Sequence, residues 1–154
     1  MNELDSTRLR ELLQYDPSTG IFTWKINRCV VKVGDVAGCV NKASGYYRLR
    51  LDGKCYSGHR IAWLYVHGEF PVDQIDHINR IKHDNRISNL RQATQLQNSQ
   101  NLSNSTGIAK IGKSWIAKVK TNYKSKTIGK FSSKEQAHQA YLEAKQVLHP
   151  FFTA

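Results

Sequence analysis

The chain has 154 residues, enough for one ordinary domain or two small ones with modest cores. Its formal net charge is +11, and residues 104–154 contribute +7 of it through nine Lys and two Glu. This excess in the C-terminal third indicates a polyanionic partner. No apolar run approaches the roughly 20 residues that span a bilayer, and no basic amphipathic helix stands out. We therefore expect the partner to be nucleic acid rather than a membrane.

The N-terminus and the cysteines favour an intracellular protein. The first residues, MNELDSTRLRELL, lack the basic start, apolar stretch and small-residue cleavage site of a secretory signal. Cys29, Cys39 and Cys55 are odd in number and too widely spaced for a CxxC metal knuckle. We expect a cytoplasmic protein with three reduced, partly buried thiols, no disulfide and no structural zinc.

The first half of the chain predicts short helices and hairpins. Four leucines among the first thirteen residues fall on one face of a short helix, which Asp5 or Ser6 is expected to cap. The stretch YDPSTGIFTWK predicts a turn that leads into a strand, and GYYRLRLDGKCYSGHR predicts a hairpin around residues 52–53. Residues 59–66 suit a helix that Gly68 closes.

The second half begins with a polar loop. Residues 75–89, IDHINRIKHDNRISN, contain few apolar residues and many Asn, Asp and His, which predicts a loop held by side-chain hydrogen bonds and suggests a site. Residues 93–101 are expected to form a helix, followed by a linker, NLSNSTG. These features divide the chain into an N-terminal helix and hairpin region at 1–56, a central segment at 57–103 and a basic module at 104–154.

The basic module is predicted to form a small sheet covered by one helix. Three alternating strands follow the linker, with turns near Gly112 and Asn122. A final helix can be capped by Ser132 or Ser133. Its apolar face is expected to carry Ala137, Ala140, Tyr141, Ala144 and Leu148.

Asp76 and His77 combine two groups that phosphodiester hydrolysis needs. A hard carboxylate suits Mg²⁺ or Mn²⁺, and an imidazole that titrates near neutrality can take a proton from water. If residues 75–77 form a strand, neighbouring side chains point to opposite faces, so a twist or a bulge must bring both groups toward one phosphate. Since an Asp-His pair alone is common on protein surfaces, the interpretation depends on the residues that follow.

The run HRIAWLYVHGEFPVDQIDHINRIKHDNRISNLRQATQLQN contains the elements HR, DH-N, DN-R, NLR-AT and a final N in this order. It resembles the HNH endonucleases, in particular their phage and intron-associated branch, over about residues 57–98. The resemblance implies two antiparallel strands and a helix around one divalent metal ion. It also implies His77 as general base, Asp76 and Asn98 as metal ligands, and Asn89 as the residue that orients the imidazole and braces the loop. Water and DNA phosphate oxygens are expected to complete the metal shell, because one carboxylate and one amide make a weak site.

Several residues around the motif have roles of their own. Many relatives carry Gly where this chain has Arg80, and a non-Gly residue with positive φ is strained, so either the loop is shaped differently or Arg80 touches a phosphate. His59 is expected to pack in the core beneath the site and His83 to face solvent. Asp84 and Asn85 are expected to pin the loop, and Arg91 to brace Asp76 or contact DNA. The arginines predicted to bind DNA are Arg80, Arg86 and Arg91.

The C-terminal segment TGIAKIGKSWIAKVKTNYKSKTIGKFSSKEQAHQAYLEAKQVLH has a strand around Trp115, a GKF turn and an Ala-rich helix. It resembles the AP2-type DNA-binding modules, which implies that a sheet face enters the major groove. The residues this would place against DNA are Lys113, Trp115, Lys118, Lys120, Lys124 and Lys126. The alternative is a solvated lysine surface with Trp115 in the core.

Together, these patterns predict an α+β protein with a ββα-metal HNH core at 57–103 and an AP2-like module at 104–154. The expected activity is metal-dependent cleavage of double-stranded DNA by a homing-type enzyme, in the host cell's cytoplasm if it is phage-encoded. We expect no protein partner, and a monomer would suffice. Two other functions stay open: a non-catalytic DNA-binding protein on the same scaffold, and an RNA-processing nuclease. The presence of Asp76, His77 and Asn98 argues against the first of these.

Overall fold

The computed structural model describes residues 4–101, 107–121, 124–149 and 151–152. They form an α+β fold that divides into two compact units, residues 1–93 and residues 94–154, called here the N-terminal and C-terminal units. The functional division at residues 57 and 104 stays a prediction, because the compactness of a unit does not mark a functional boundary. Among the described residues, no helix is both long enough and apolar enough to cross a bilayer.

The N-terminal unit contains two helices and seven strands among its described residues. All of its strand pairs are antiparallel, in the sheets β1-β2, β3-β4-β5 and β6-β7. A single 3₁₀ turn, Ile87–Asn89, precedes the last strand. The elements are α1 (Ser6–Leu12), β1 (Leu13–Asp16), β2 (Ile21–Trp24), β3 (Cys39–Val40), β4 (Tyr47–Leu51), β5 (Lys54–Ser57), α2 (Gly58–His67), β6 (Gln74–His77) and β7 (Leu90–Ala93).

Local chemistry explains where these elements begin and end. The Asp5 carboxylate accepts a hydrogen bond from the Arg8 backbone N at 2.7 Å and caps α1, as predicted. Asp52 and Gly53 both have positive φ, 44° and 83°, which is the backbone of a two-residue hairpin turn between β4 and β5. Gly68 ends α2 in the left-handed conformation, also as predicted. The sequence did not predict β1, which follows α1 without a loop.

One hydrophobic cluster fills the N-terminal unit. Elements from the whole unit contribute fully buried side chains, so residues before position 56 share a core with the β6-β7 hairpin. Each fully buried Leu, Ile or Phe stabilises the fold by roughly 1.5–3 kcal/mol. The large, fully buried members are Leu9, Leu12, Leu13, Phe22, Leu49, Leu51, Ile61 and Leu64, and Tyr15, Trp24, Ile75 of β6 and Leu90 of β7 are also buried in this cluster.

The three cysteines are exposed, whereas the sequence led us to expect partly buried thiols. Cys39 pairs with Arg48, and Cys55 pairs with Arg50 on the same sheet. Both arginines are exposed, so both thiols lie on the solvent face of β3-β4-β5. Cys29 lies beside an isolated bridge between residues 28 and 31 and has positive φ, 35°.

The C-terminal unit contains α3 (Gln95–Gln100), β8 (Ile108–Ile111), β9 (Ser114–Thr121), β10 (Lys124–Phe131) and α4 (Lys134–Leu148). The strands form an antiparallel sheet in the order β10-β9-β8, and α4 packs on it around Ala117, Val119, Ala137 and Tyr141. This confirms the predicted three-stranded sheet with one helix. Ser133 caps α4, and Gly112 lies between β8 and β9, as expected. The predicted turn at Asn122 and most of the predicted linker lie outside the described residues.

The buried face of α4 differs from the predicted one at its C-terminal end. Leu148 is 37% exposed, whereas Lys145 and His149 are buried. These two residues continue the four-residue spacing of Ala137 and Tyr141, so they lie on the same side of the helix. The Lys145 ammonium lies 4.1 Å from the Phe152 ring centroid and 5.7 Å from that of Tyr141, which offsets the cost of burying its charge.

Candidate active site

Asp76 and His77 lie at the end of β6 and are both buried, with exposed fractions of 6% and 5%. β6 pairs with β7 in a regular register, with Asp76 opposite Arg91 and His77 opposite Leu90. The pairing contains no bulge, so of the two alternatives predicted for β6, the bulge is wrong. The two side chains leave opposite faces of the hairpin. Strand twist is the remaining alternative by which both side chains could reach one phosphate.

Asn89 braces the loop that joins β6 to β7. Its Oδ1 accepts a hydrogen bond from the Asn79 backbone N at 2.9 Å. Its Nδ2 donates to the Asn79 Oδ1 at 3.0 Å and to the Asp84 carbonyl oxygen at 2.9 Å. These bonds connect the end of the loop to its beginning and its middle, as the sequence predicted. That Asn89 also orients the imidazole of His77 stays a prediction.

Arg80 has a left-handed backbone although it is not a glycine. Its φ is 64°, and its backbone N donates to the His77 carbonyl oxygen at 2.9 Å, which closes a turn directly after the strand. For a residue with a Cβ this conformation costs roughly 1–2 kcal/mol. The turn is therefore maintained by the hydrogen bonds around it, and the predicted phosphate contact of Arg80 stays untested.

The other two arginines predicted to bind DNA are paired with acidic residues of the site. The Arg91 guanidinium donates from Nε at 2.9 Å and from Nη2 at 2.7 Å to the Asp76 Oδ2, so Arg91 braces Asp76. Arg86 donates to both carboxylate oxygens of Asp84, at 2.9 and 2.6 Å. The hydrogen bonds from Arg86 lower the pKa of Asp84 to about 2.

Asn85 holds the middle of the loop against the core. It is 1% exposed, and its carbonyl oxygen accepts a hydrogen bond from the Tyr15 hydroxyl at 2.7 Å. Two glycines make room for it: a Cβ on Gly58 would lie 2.7 Å from the Asn85 Nδ2, and one on Gly20 would lie 2.6 Å from the Asn85 carbonyl carbon. Sequence reasoning missed the role of both glycines, because only the folded chain places them beside residue 85.

The His77 imidazole is surrounded by rings. Its centroid lies 5.2 Å from that of His59 and 6.0 Å from that of Tyr46. Burial lowers the pKa of His77, while the Asn85 side chain and the Asp76 carboxylate act in the opposite direction. His59 is half-buried beside His77, as expected, and burial, with a smaller effect of His77, lowers its pKa to about 4. His83 is exposed, also as expected.

Asn98, the second predicted metal ligand, lies on α3 and belongs to the C-terminal unit, whereas Asp76 belongs to the N-terminal unit. Thr94 caps α3 in a reciprocal pair with Gln97, which defines the start of the helix. Among the described residues, no group of three or more His, Cys, Asp or Glu side chains is arranged to hold a metal ion. One carboxylate plus an amide oxygen fits a weakly held hard cation, and Asn98 as its ligand stays a prediction.

Residues 56–100 match the model of the HNH endonuclease family. No curated protein and no solved structure matches the chain. The matching segment contains both strands of the β6-β7 hairpin, α3 and the four predicted site residues Asp76, His77, Asn89 and Asn98. This HNH segment indicates a nuclease that acts on nucleic acid, and nucleases of this kind generally use a divalent metal ion.

The lysines that follow the HNH segment are divided between the two faces of the β8-β9-β10 sheet. Lys118 and Lys120 of β9 lie opposite Thr127 and Ser125 of β10, on the face away from α4. Lys126 lies opposite Val119 on the other face, and Lys113 lies in the turn between β8 and β9.

Two further placements bear on the predicted DNA-binding face. Trp115 packs against the hydrophobic cluster, and Lys124 is paired with Thr121 on the same side as Val119. The six predicted DNA-binding residues therefore do not share one face. Sequence reasoning missed Lys130, which lies opposite Ile116 and so shares the face of Lys118.

A cavity of about 480 Å³ lies within the C-terminal unit. Its lining includes Lys118, Lys120, Tyr141, Lys145 and His149, and none of the described residues that line it is acidic. The His149 Nε2 lies 2.9 Å from the Lys120 carbonyl oxygen, which attaches the end of α4 to β9. The basic character of the unit thus extends from the outer sheet face to the end of the helix.

Proposed function

We propose that this protein is a metal-dependent double-stranded DNA endonuclease of the homing type, in which His77 is the general base. The observation that supports this is the position of Asp76 and His77 side by side at the end of β6, both buried. Because burial lowers the pKa of His77, its imidazole is neutral at physiological pH and can accept a proton. Asn89 and Arg91 hold the surrounding loop and carboxylate in place.

His77 takes a proton from a water molecule, and the resulting hydroxide attacks the phosphorus in line with the leaving 3′ oxygen. The proton stays on the imidazole, where the nearby Asp76 carboxylate and the Asn85 side chain favour the charged form. The bond between phosphorus and the 3′ oxygen breaks, the leaving 3′ oxygen takes up a proton from solvent water, and the products are ends with a 5′-phosphate and a 3′-hydroxyl. Asp76 and Asn98 would hold Mg²⁺ or Mn²⁺, which when bound supplies positive charge for the phosphate and the leaving oxygen.

The C-terminal unit is proposed to hold the duplex as an AP2-like module. Lys118, Lys120 and Lys130 present three ammonium groups on one sheet face, with the hydroxyls of Ser125 and Thr127 between them. Ammonium and hydroxyl groups are common donors to backbone phosphates, and such contacts position a protein on DNA without reading its sequence. Lys113, Lys124 and Lys126 lie at the turn and on the other face, where they can contact flanking phosphates.

The proposal is tested by incubating the protein with matched DNA and RNA duplexes in the presence of Mg²⁺. Cleavage of DNA but not RNA, lost in chelator and in His77→Ala, is expected. Binding without cleavage would favour the non-catalytic DNA-binding alternative, and preferential cleavage of RNA would favour an RNA-processing nuclease. Sequencing the ends produced from a randomised duplex library then tests the homing type, which predicts one long preferred site.

A further inference from the structure

We propose that Tyr46 and His59 are positioning residues that hold the His77 imidazole in its working orientation. This inference deepens the proposed function and rests on the role of His77 as the general base. It concerns residues outside the set of four that the HNH motif suggested. Neither ring is a catalytic residue, because each acts on the substrate only through His77.

The three rings form a closed triangle. The centroid distances are 5.2 Å for His59 and His77, 5.5 Å for Tyr46 and His59, and 6.0 Å for Tyr46 and His77. All three distances lie within the range in which aromatic pairs attract each other. The rings come from separate parts of the N-terminal unit, since Tyr46 precedes β4, His59 lies in the first turn of α2 and His77 ends β6.

This arrangement restricts a torsion that is intrinsically soft in histidine. The χ2 angle of histidine has a broad, roughly two-fold distribution, so an imidazole without neighbours can turn over. Turning over exchanges the two ring nitrogens, which have different roles in a general base. The His59 ring meets the His77 ring edge to face at 83°, and Tyr46 meets it at 50° from another side. The rings of His59 and Tyr46 therefore limit the rotation of the His77 imidazole.

Tyr46 is itself firmly placed. Its backbone carbonyl accepts a hydrogen bond from the Asn41 backbone N at 2.8 Å, in a turn where the Asn41 side chain also binds Ser44. The Lys82 ammonium lies 5.1 Å from the centroid of the Tyr46 ring and donates to the Ser44 carbonyl oxygen at 3.2 Å. The ring is thus held from the turn below it and from the loop that carries the active site.

His59 acts by packing against the His77 ring and not as a second general base. It is half-buried, and its Nδ1 has no hydrogen-bond partner among the described residues, so it holds no proton acceptor or carboxylate in place through that atom. Because burial lowers its pKa to about 4, it stays neutral while His77 gains and loses its proton. A neutral neighbour can approach a protonated imidazole without charge repulsion.

The test compares Tyr46→Leu and His59→Ala with the conservative variants Tyr46→Phe and His59→Phe. Tyr56→Leu is the matched control, since Tyr56 is also half-buried but stacks on Phe70, outside the triangle. Small displacements of a reacting group can lower rates by about 10- to 100-fold, and we expect kcat losses of that size for Tyr46→Leu and His59→Ala. KM for the duplex should stay unchanged. The two Phe variants should recover most of the lost kcat.

Nuclear magnetic resonance of the ¹⁵N-labelled histidine rings gives a second readout that needs no cleavage. The parent should show one His77 ring form, and Tyr46→Leu should show averaged or broadened His77 ring signals. Folded Tyr46→Leu and His59→Ala variants with parental kcat and unchanged ring signals would overturn the inference. Equal losses in the Leu and Phe variants of Tyr46 would also overturn it, because they would assign the effect to the hydroxyl.

His77→Ala, measured in parallel, separates this inference from the function on which it rests. Parental cleavage by His77→Ala would refute the general base and the positioning role with it. Loss of cleavage in His77→Ala, together with full activity in folded Tyr46→Leu and His59→Ala, would refute the positioning role alone. If His59→Ala does not fold, His59→Phe and the Tyr46 pair still decide the question through kcat and the ring signals.

Discussion

Replacement of Arg91 by Met should show how strongly the Asp76 carboxylate depends on its guanidinium partner before a metal ion binds. Asp76 is 6% exposed, and Arg91 donates two hydrogen bonds to its Oδ2 at 2.9 and 2.7 Å. Methionine keeps most of the apolar stem but removes both donors and the charge. Breaking a fully buried ion pair costs about 3–5 kcal/mol. Because the Arg91 side chain is 23% exposed, water can compensate in part, and we expect a loss of about 2–3 kcal/mol.

Urea unfolding in chelator, followed by circular dichroism, measures this loss. With a slope of about 2 kcal/mol per molar urea, the midpoint of the unfolding transition should fall by roughly 1–1.5 M. A double-mutant cycle with Asp76→Asn isolates the contact, and the double variant should lose less stability than the sum of the single losses, by about 1–3 kcal/mol. Added Mg²⁺ should stabilise Arg91→Met more than the parent, because the cation then takes over the charge of the guanidinium.

Arg86→Met is the matched control. It removes the pair between Arg86 and Asp84, whose arginine side chain is 47% exposed, and should lower the stability clearly less than Arg91→Met does, because solvent screens an exposed ion pair. Strictly additive losses in the cycle, or equal losses in Arg91→Met and Arg86→Met, would refute the reasoning. Either result would mean that burial does not strengthen the contact between Arg91 and Asp76.

Four further outcomes are expected. His77→Ala should lower the single-turnover cleavage rate by about 10²- to 10⁴-fold with unchanged equilibrium binding of the duplex, because the imidazole acts on water. Cleavage should require Mg²⁺ or Mn²⁺ and stop in chelator, while the far-ultraviolet circular dichroism stays the same. Gln in place of Lys118, Lys120 and Lys130 should reduce the slope of log affinity against log salt by about 0.9 for each lost phosphate contact. Finally, the pKa of His59 is lowered from 6.5 to about 4, so below pH 6.5 the unfolded chain binds a proton that the folded chain does not. Stability should therefore fall as the pH drops from about 6.5 to about 4, and His59→Phe should flatten that dependence in urea unfolding.

Each of these outcomes has a clear opposite. Parental cleavage by His77→Ala would refute the assignment of His77 as general base, and cleavage in chelator would refute the metal dependence. An unchanged salt slope in the triple Lys variant would move the DNA contacts away from the outer sheet face. A pH dependence of stability that is the same in His59→Phe and the parent would assign it to other groups, with His77 the first candidate because its pKa is lowered in the same direction.

The features that local chemistry determines could be predicted from the sequence. The cap at Asp5, the hairpin turn at residues 52–53 and the end of α2 at Gly68 depend on residues within one or two turns of the chain, and all three are confirmed. The strands and helix of the C-terminal unit follow in the same way from alternation and from the Ser133 cap.

The features that depend on distant residues could not be predicted. The Tyr15 hydroxyl reaches the Asn85 carbonyl across 70 positions of sequence, and no spacing rule indicates that bond. The same holds for the approach of Gly58 to Asn85 and for the contact of Tyr46 with His77. Burial of Lys145 was missed for a related reason, since the aromatic ring of Phe152 that accompanies it lies beyond the end of the helix.

The core that residues 1–55 share with the β6-β7 hairpin determines how the HNH segment could be fused to another protein. A fusion that carries only residues 56–100 would leave behind Leu9, Phe22 and Leu49, which belong to the same hydrophobic cluster as Ile75 and Leu90. At its other end such a graft would detach α3 from its own compact unit, and a helix of six residues is not stable alone. A graft that keeps the HNH segment folded therefore needs residues from both compact units.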